Sequence, residues 1–177
     1  MNKKLQVVKY IFADFIAAVL AWGLFYDFRK IYIEHIKFSG SLKIDYNSEF
    51  YKVIILIPLL WLLFYFLVGT YKNIYRKSRL REVGQTFLIS LIGVIIIFFV
   101  FLLDDKIPTY KAYYETFIVL FSLQFLITAI FRFILSSITN NKIKKRTIGF
   151  NTLLVGSNES AWNLYTEMEA QEKSSGN

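Results

Sequence analysis

Two charged residues set inside otherwise apolar stretches are the strongest chemical signal in this chain: Asp14 and Arg132. A charge at the centre of a membrane helix costs about 2.5–3.5 kcal/mol on insertion scales, so such residues are kept for pairing, proton movement or ligand contact. Their depths match: Asp14 lies about two turns into the first stretch from the expected cytoplasmic side, and Arg132 a similar distance from the cytoplasmic end of the fourth. A carboxylate–guanidinium pair between the first and last helices would close a bundle. Reversing Asp14 should then harm assembly, and reversing both charges should partly restore it. In the plainer alternative, Arg132 snorkels to phosphate and Asp14 reaches interfacial water. A proton-carrying Asp14 would want a second buried acid or a histidine as relay, and the sequence offers neither beside it.

Other reactive groupings are sparse. His35 is the single histidine and lies in a loop, which excludes a histidine-based metal cluster and a Ser-His-Asp triad. The absence of cysteine excludes disulfide and thiol chemistry. Asp104 and Asp105 are adjacent carboxylates at a span end, read as solvated surface. No Gly-rich P-loop is present. The sequence nominates no catalytic residue and no metal site.

The elements that must position the pair are membrane spans. The 177 residues are 55% hydrophobic and 19% aromatic, with positive mean hydropathy. Four apolar cores, 10–26, 53–71, 87–103 and 116–135, are separated by charged loops. Each reaches the roughly 17–25 residues needed to cross a hydrocarbon layer about 30 Å thick. A helix satisfies its own backbone polar groups, as lipid requires. The spans are placed at about 8–28, 53–71, 84–103 and 114–138, forming a transmembrane domain over 1–138. Span one is weakest because Asp14 interrupts it. No small-residue cleavage site follows it, so it is read as a retained span. Pro58 is placed near the start of span two, where a missing N–H is tolerated.

Lys and Arg in the loops set the orientation. Twelve fall on the side of Lys3, Lys4, Lys9, the loop after span two and the segment after span four, against seven on the other. Both termini are therefore expected in the cytoplasm. The net charge of +8 is placed beside spans, where topology explains it, and nucleic acid is excluded as a partner. The loop after span two, KNIYRKSRLREVGQT, carries Lys72, Arg76, Lys77, Arg79 and Arg81. It reads as a stop-transfer patch able to contact anionic phospholipid. Ser78 is a candidate cap for the helix entering span three, with Glu82 in its first turn.

After span four, 139–150 is read as a basic linker. Thr152-Leu153-Leu154-Val155 has a short buried-strand pattern, Gly156-Ser157-Asn158 a turn, and 159–172 a helix with Ala161, Leu164, Tyr165 and Met168 on one face. Strand, turn and helix would open a doubly wound α/β domain over 151–177 whose remainder is not in these residues. Gly156, Ser157 and Asn158 are weak cofactor-binding candidates only: Gly156 and Ala161 fit the dinucleotide fingerprint, but Asn158 replaces its middle glycine. The fold class is thus an all-α four-helix membrane bundle followed by the first strand-turn-helix of a truncated Rossmann-like domain.

The four spans, the YRKSRLREVGQTF loop and RTIGFNTLLVGSNESA after span four together resemble the N-terminal half of bacterial polyprenyl-phosphate glycosylphosphotransferases. Those enzymes start capsule, exopolysaccharide and O-antigen assembly. The likeness covers essentially the whole chain. It implies a bacterial inner-membrane protein, a homo-oligomer, that anchors a sugar transferase. It also implies a degenerate Rossmann-like domain and then a separate catalytic domain. That domain has an Asp-Glu dyad and magnesium, and passes a sugar phosphate from a nucleotide sugar to undecaprenyl phosphate. Nothing in residues 1–177 matches that catalytic domain. No catalytic residue carries over, no cofactor is expected in this segment, and the segment alone should be inactive. Polyprenyl phosphate joins the bilayer as a candidate partner. The rival readings are the anchor of a nucleotide-sugar dehydratase or epimerase, a small four-span transporter with Asp14 as its proton site, and a scaffold that recruits another transferase.

Overall fold

The computed structural model describes residues 3–33, 48–72, 79–102, 110–145, 153–156 and 158–170. Helix α1 (Lys3–Phe28) continues into a π-helical turn (Arg29–Ile33). Helix α2 (Ser48–Leu67) follows, then α3 (Arg79–Ile97) with its own π-helical turn (Phe98–Leu102), α4 (Tyr110–Lys144) and α5 (Glu159–Ala170). Four helical stretches are long and apolar enough to cross a bilayer: Lys4–Tyr32, Phe50–Leu67, Leu80–Val100 and Tyr110–Ile143. The chain divides into two compact units, 2–133 and 134–177.

The first unit is packed as a membrane protein is. Small residues face inward on α1, where Ala13, Ala17, Ala18 and Ala21 are buried, while Phe12, Leu20 and Leu24 are exposed. Small inward residues let helix backbones approach, which is how helices gain contact when lipid supplies no hydrophobic drive. Helix α2 shows the same division: Ile57, Trp61 and Tyr65 are buried, and Leu59, Leu63 and Phe66 face outward. The core joins Trp22 and Phe25 of α1, Ile57 and Trp61 of α2, Ile89, Val94 and Ile97 of α3, and Leu120 of α4. Gly93 of α3 is a notch in this core, because a Cβ there would collide with the Trp61 ring.

Several boundaries differ from the sequence reading. Span two was expected to run to residue 71, but α2 stops at Leu67. Gly69 adopts a left-handed conformation (φ 69°). Its N–H donates to the Phe66 carbonyl, and the Thr70 N–H reaches back to Tyr65. This pair of bonds is a Schellman cap, which satisfies the orphan carbonyls of a helix end and needs a residue free of Cβ strain. Pro58 is not near a helix start either. Helix α2 begins at Ser48, so Pro58 lies inside it, a placement tolerated in membrane helices where neighbouring groups re-satisfy the backbone.

The expected basic linker is helical in its first part, since α4 continues to Lys144. Thr139 donates to the Leu135 carbonyl one turn back, and no glycine or proline lies between residues 139 and 144. Helix α3 starts at Arg79 with Glu82 in its first turn, while Ser78 lies outside the described residues.

In the second unit, α5 forms close to where its period placed it, but no strand precedes it among the described residues. Leu153–Gly156 have no ladder partner among the described residues, and Leu153 and Val155 are exposed. A strand exists only as one side of a hydrogen-bonded pair, so an apolar run of this length does not become one by composition. No residue of α5 is buried.

Candidate functional site

Asp14 and Arg132 meet. The Arg132 Nε donates to Asp14 Oδ1 at 2.8 Å and its Nη2 to Oδ2 at 2.7 Å. This is the two-pronged fork that a planar guanidinium makes with a carboxylate, stronger than a single neutral bond and fixed in orientation. Asp14 is 0% and Arg132 1% exposed, so the pair is sealed within the helices.

The other two spans complete its coordination. From α3, the Thr86 hydroxyl donates to the Glu82 carbonyl at 2.8 Å. Its hydrogen is thereby spent on its own helix, and its lone pairs face Arg132, whose Nη1 donates to it at 2.9 Å. From the turn that follows α2, the Tyr71 hydroxyl donates to Asp14 Oδ2 at 2.9 Å. The guanidinium carbon stands 4.2 Å from the centroid of the Tyr65 ring, within cation–π range. Tyr65 in turn lies beside Trp61 in a stacked arrangement, ring centroids 6.0 Å apart. Each of the four spanning helices therefore contributes a group to one polar cluster.

Local structure explains how each group arrives. On α4, Gln124, Thr128 and Arg132 recur at four-residue spacing, one face of a helix. Gln124 Nε2 donates to Thr128 Oγ1 at 3.2 Å and to the Tyr65 hydroxyl at 3.5 Å. On α1, Tyr10 and Asp14 are one turn apart, and the buried Tyr10 hydroxyl bonds to Glu82 of α3. The Gly69 cap delivers Thr70 and Tyr71 to the cluster. Gln85 Nε2 donates to Thr70 Oγ1 at 3.5 Å.

Chemically, the arrangement holds charge in place. The carboxylate accepts three hydrogen bonds from two residues, and the guanidinium is shared among Asp14, Thr86 and a ring face. Among the described residues, no group of three His, Cys, Asp or Glu is placed to hold a metal ion.

The remaining sequence candidates are scattered. Lys72 is exposed in the turn after α2, and Arg81 is exposed in the first turn of α3. Arg79 opens that helix, and Arg76 and Lys77 lie outside the described residues. At the tail, Asn158 caps α5: its Oδ1 accepts from the Ala161 N–H at 3.1 Å, occupying a donor that a phosphate would need. A Cβ on Gly156 would meet the Ala161 Cβ at 3.0 Å, so this glycine serves close turn packing. Ser157 lies outside the described residues. Gly156 and Asn158 are thus both engaged within the tail itself.

Sequence reasoning missed Tyr71, Thr86 and Tyr65 as partners of the pair, and the burial of Glu82. The spacing of Gln124, Thr128 and Arg132 was available as a signal for the inward face of α4. The choice of Tyr71 and Thr86 depends on how α2 and α3 rotate, which no single-helix pattern records. No family model, curated protein or solved structure matches the chain.

Proposed function

We propose that this chain is the membrane-anchoring N-terminal part of a sugar transferase. That enzyme would pass a sugar phosphate from a nucleotide sugar to undecaprenyl phosphate, beginning assembly of a bacterial surface polysaccharide. The chain resides in the inner membrane with both termini in the cytoplasm, associates with further copies of itself, and leaves the magnesium-dependent chemistry to a catalytic domain that residues 1–177 do not contain. Its tail begins the Rossmann-like domain that leads toward that catalytic part.

The observation that carries this reading is the sealed Asp14–Arg132 fork, with its third and fourth contacts from the turn after α2 and from α3. Charges spent on one another at the joint of four helices suit a rigid anchor. They suit a proton-carrying transporter poorly, because its acid must be released and recharged. The YRKSRLREVGQTF loop and the RTIGFNTLLVGSNESA segment add the resemblance to the transferase family. The basic residues beside the spans favour cytoplasmic contact with anionic lipid, at about 1 kcal/mol per residue near the surface.

The test uses the producing cell. Deleting codons 1–177 should abolish incorporation of labelled sugar phosphate into membrane polyprenyl lipid, whereas membranes holding residues 1–177 alone should transfer none. Normal incorporation after the deletion, or turnover by the segment alone, overturns the proposal. Reporter fusions at Lys43 and Lys144 should fall in opposite compartments.

A further inference from the structure

At the end of the bundle remote from the Asp14 pair, the π-helical turn after α3 and the first turns of α4 flank an open cavity of about 520 Å³, lined among the described residues by Phe98, Phe99, Tyr110, Tyr113, Tyr114 and Phe117. All six are aromatic. We infer that this cavity binds one acyl chain of a bilayer phospholipid, as a retained lipid and not as passing solvent.

Three observations converge. First, the volume lies in the range of about 300–1,000 Å³ typical of small-molecule sites. Second, the wall is built by an unusual backbone. A π-helix turns less per residue than an α-helix, and such turns concentrate at functional sites; here the consecutive residues Phe98 and Phe99 both reach the cavity. The Phe98 ring forms a rigid corner, edge-on to Tyr113 at 6.3 Å and to Phe117 at 5.6 Å. Third, the cavity is continuous with the surface that faces the bilayer. Its rim residues Phe99, Tyr110 and Tyr114 are 63%, 82% and 72% exposed, and Val100 and Ile118, further along the same two segments, are exposed as well. A wall of rings offers water almost nothing to bond. Tyrosine at this level suits the boundary between acyl chains and headgroups, so the molecule entering from that side is a lipid tail.

The experiment uses the intact chain in vesicles of phosphatidylethanolamine and phosphatidylglycerol containing a phosphatidylcholine with a diazirine in the upper half of one acyl chain. After irradiation, labelled residues are mapped by mass spectrometry. The half-buried Phe98, Tyr113 and Phe117 should be labelled in excess of the freely exposed Phe12 and Phe66. The expected excess is about tenfold, the ratio that a preference of ~1.4 kcal/mol produces. Filling the cavity with Phe117→Trp should remove that excess and leave Phe12 and Phe66 labelled as before. Labelling that simply follows exposure overturns the inference. So does absence of label from all three wall residues, which would mean that protein, from this chain or a second copy, covers the cavity.

Discussion

The two ends of the membrane bundle are held together by different physics. Around Asp14 and Arg132, the helices are joined by directional bonds: a two-pronged ion pair, a threonine hydroxyl with one usable face, and a tyrosine aimed at a single oxygen. Toward the other end, contact is by shape. Trp61 fills the Gly93 notch, Trp22 packs on Phe25, and Phe98 meets three other rings. Lipid tails are as apolar as leucine, so shape contact alone supplies area without dictating which face of a helix turns inward. The polar end chooses the faces and the register; the apolar end then fits.

That division can be broken at either end. The largest effect is expected from Arg132→Met, which leaves Asp14 buried without its counter-charge. Removing one partner of a buried pair costs about 3–5 kcal/mol, read as loss of the folded fraction in denaturant titration of the purified protein. Exchanging both charges, Asp14→Arg with Arg132→Asp, should recover part of that loss. A double variant no better than either single one would show that the pair does not set the register.

Gly93→Ala attacks the apolar end without touching a polar atom. Overpacking a tight core costs about 1–3 kcal/mol, and the Trp61 fluorescence spectrum should shift as its ring is displaced. Gly69→Ala forces a Cβ into a left-handed conformation, at about 1–2 kcal/mol. It should also loosen Tyr71, seen as faster protease cleavage after Lys72. The smallest effect belongs to Tyr71→Phe, which removes one of three bonds to Asp14. Interhelical hydrogen bonds in membranes average about 0.6 kcal/mol. A loss as large as that of Arg132→Met would make the tyrosine an equal partner and sharpen the polar end to a triad.

The sequence made the spans legible because hydrocarbon thickness and backbone satisfaction leave few alternatives. It also brought Asp14 and Arg132 to one level, since counting residues from a shared end measures depth. It did not disclose the rest of the cluster. Tyr71 reaches Asp14 only because Gly69 ends α2 before the apolar run ends, so a boundary set by hydropathy alone hid the cap. Glu82 is the first-turn acid that the sequence places at the start of α3, but its burial against Tyr10 was not legible. Helix α4 runs on through polar residues because helices are ended by capping and breakers, whereas hydropathy measures only what lipid will accept. The apolar run at Leu153–Val155 shows the limit in the other direction, since strand formation belongs to a pair of segments and not to one.

The fork joins residues 118 positions apart, and this separation has a consequence for biogenesis. At about 5–20 residues per second, Asp14 emerges from the ribosome roughly 6–24 s before Arg132 does. During that interval the first helix carries an uncompensated acid and cannot settle deep in the lipid. Final seating of the first helix must await the fourth, so nascent chains arrested before Arg132 should leave Asp14 reachable by water-soluble carboxyl reagents, and chains extended past α4 should close that access.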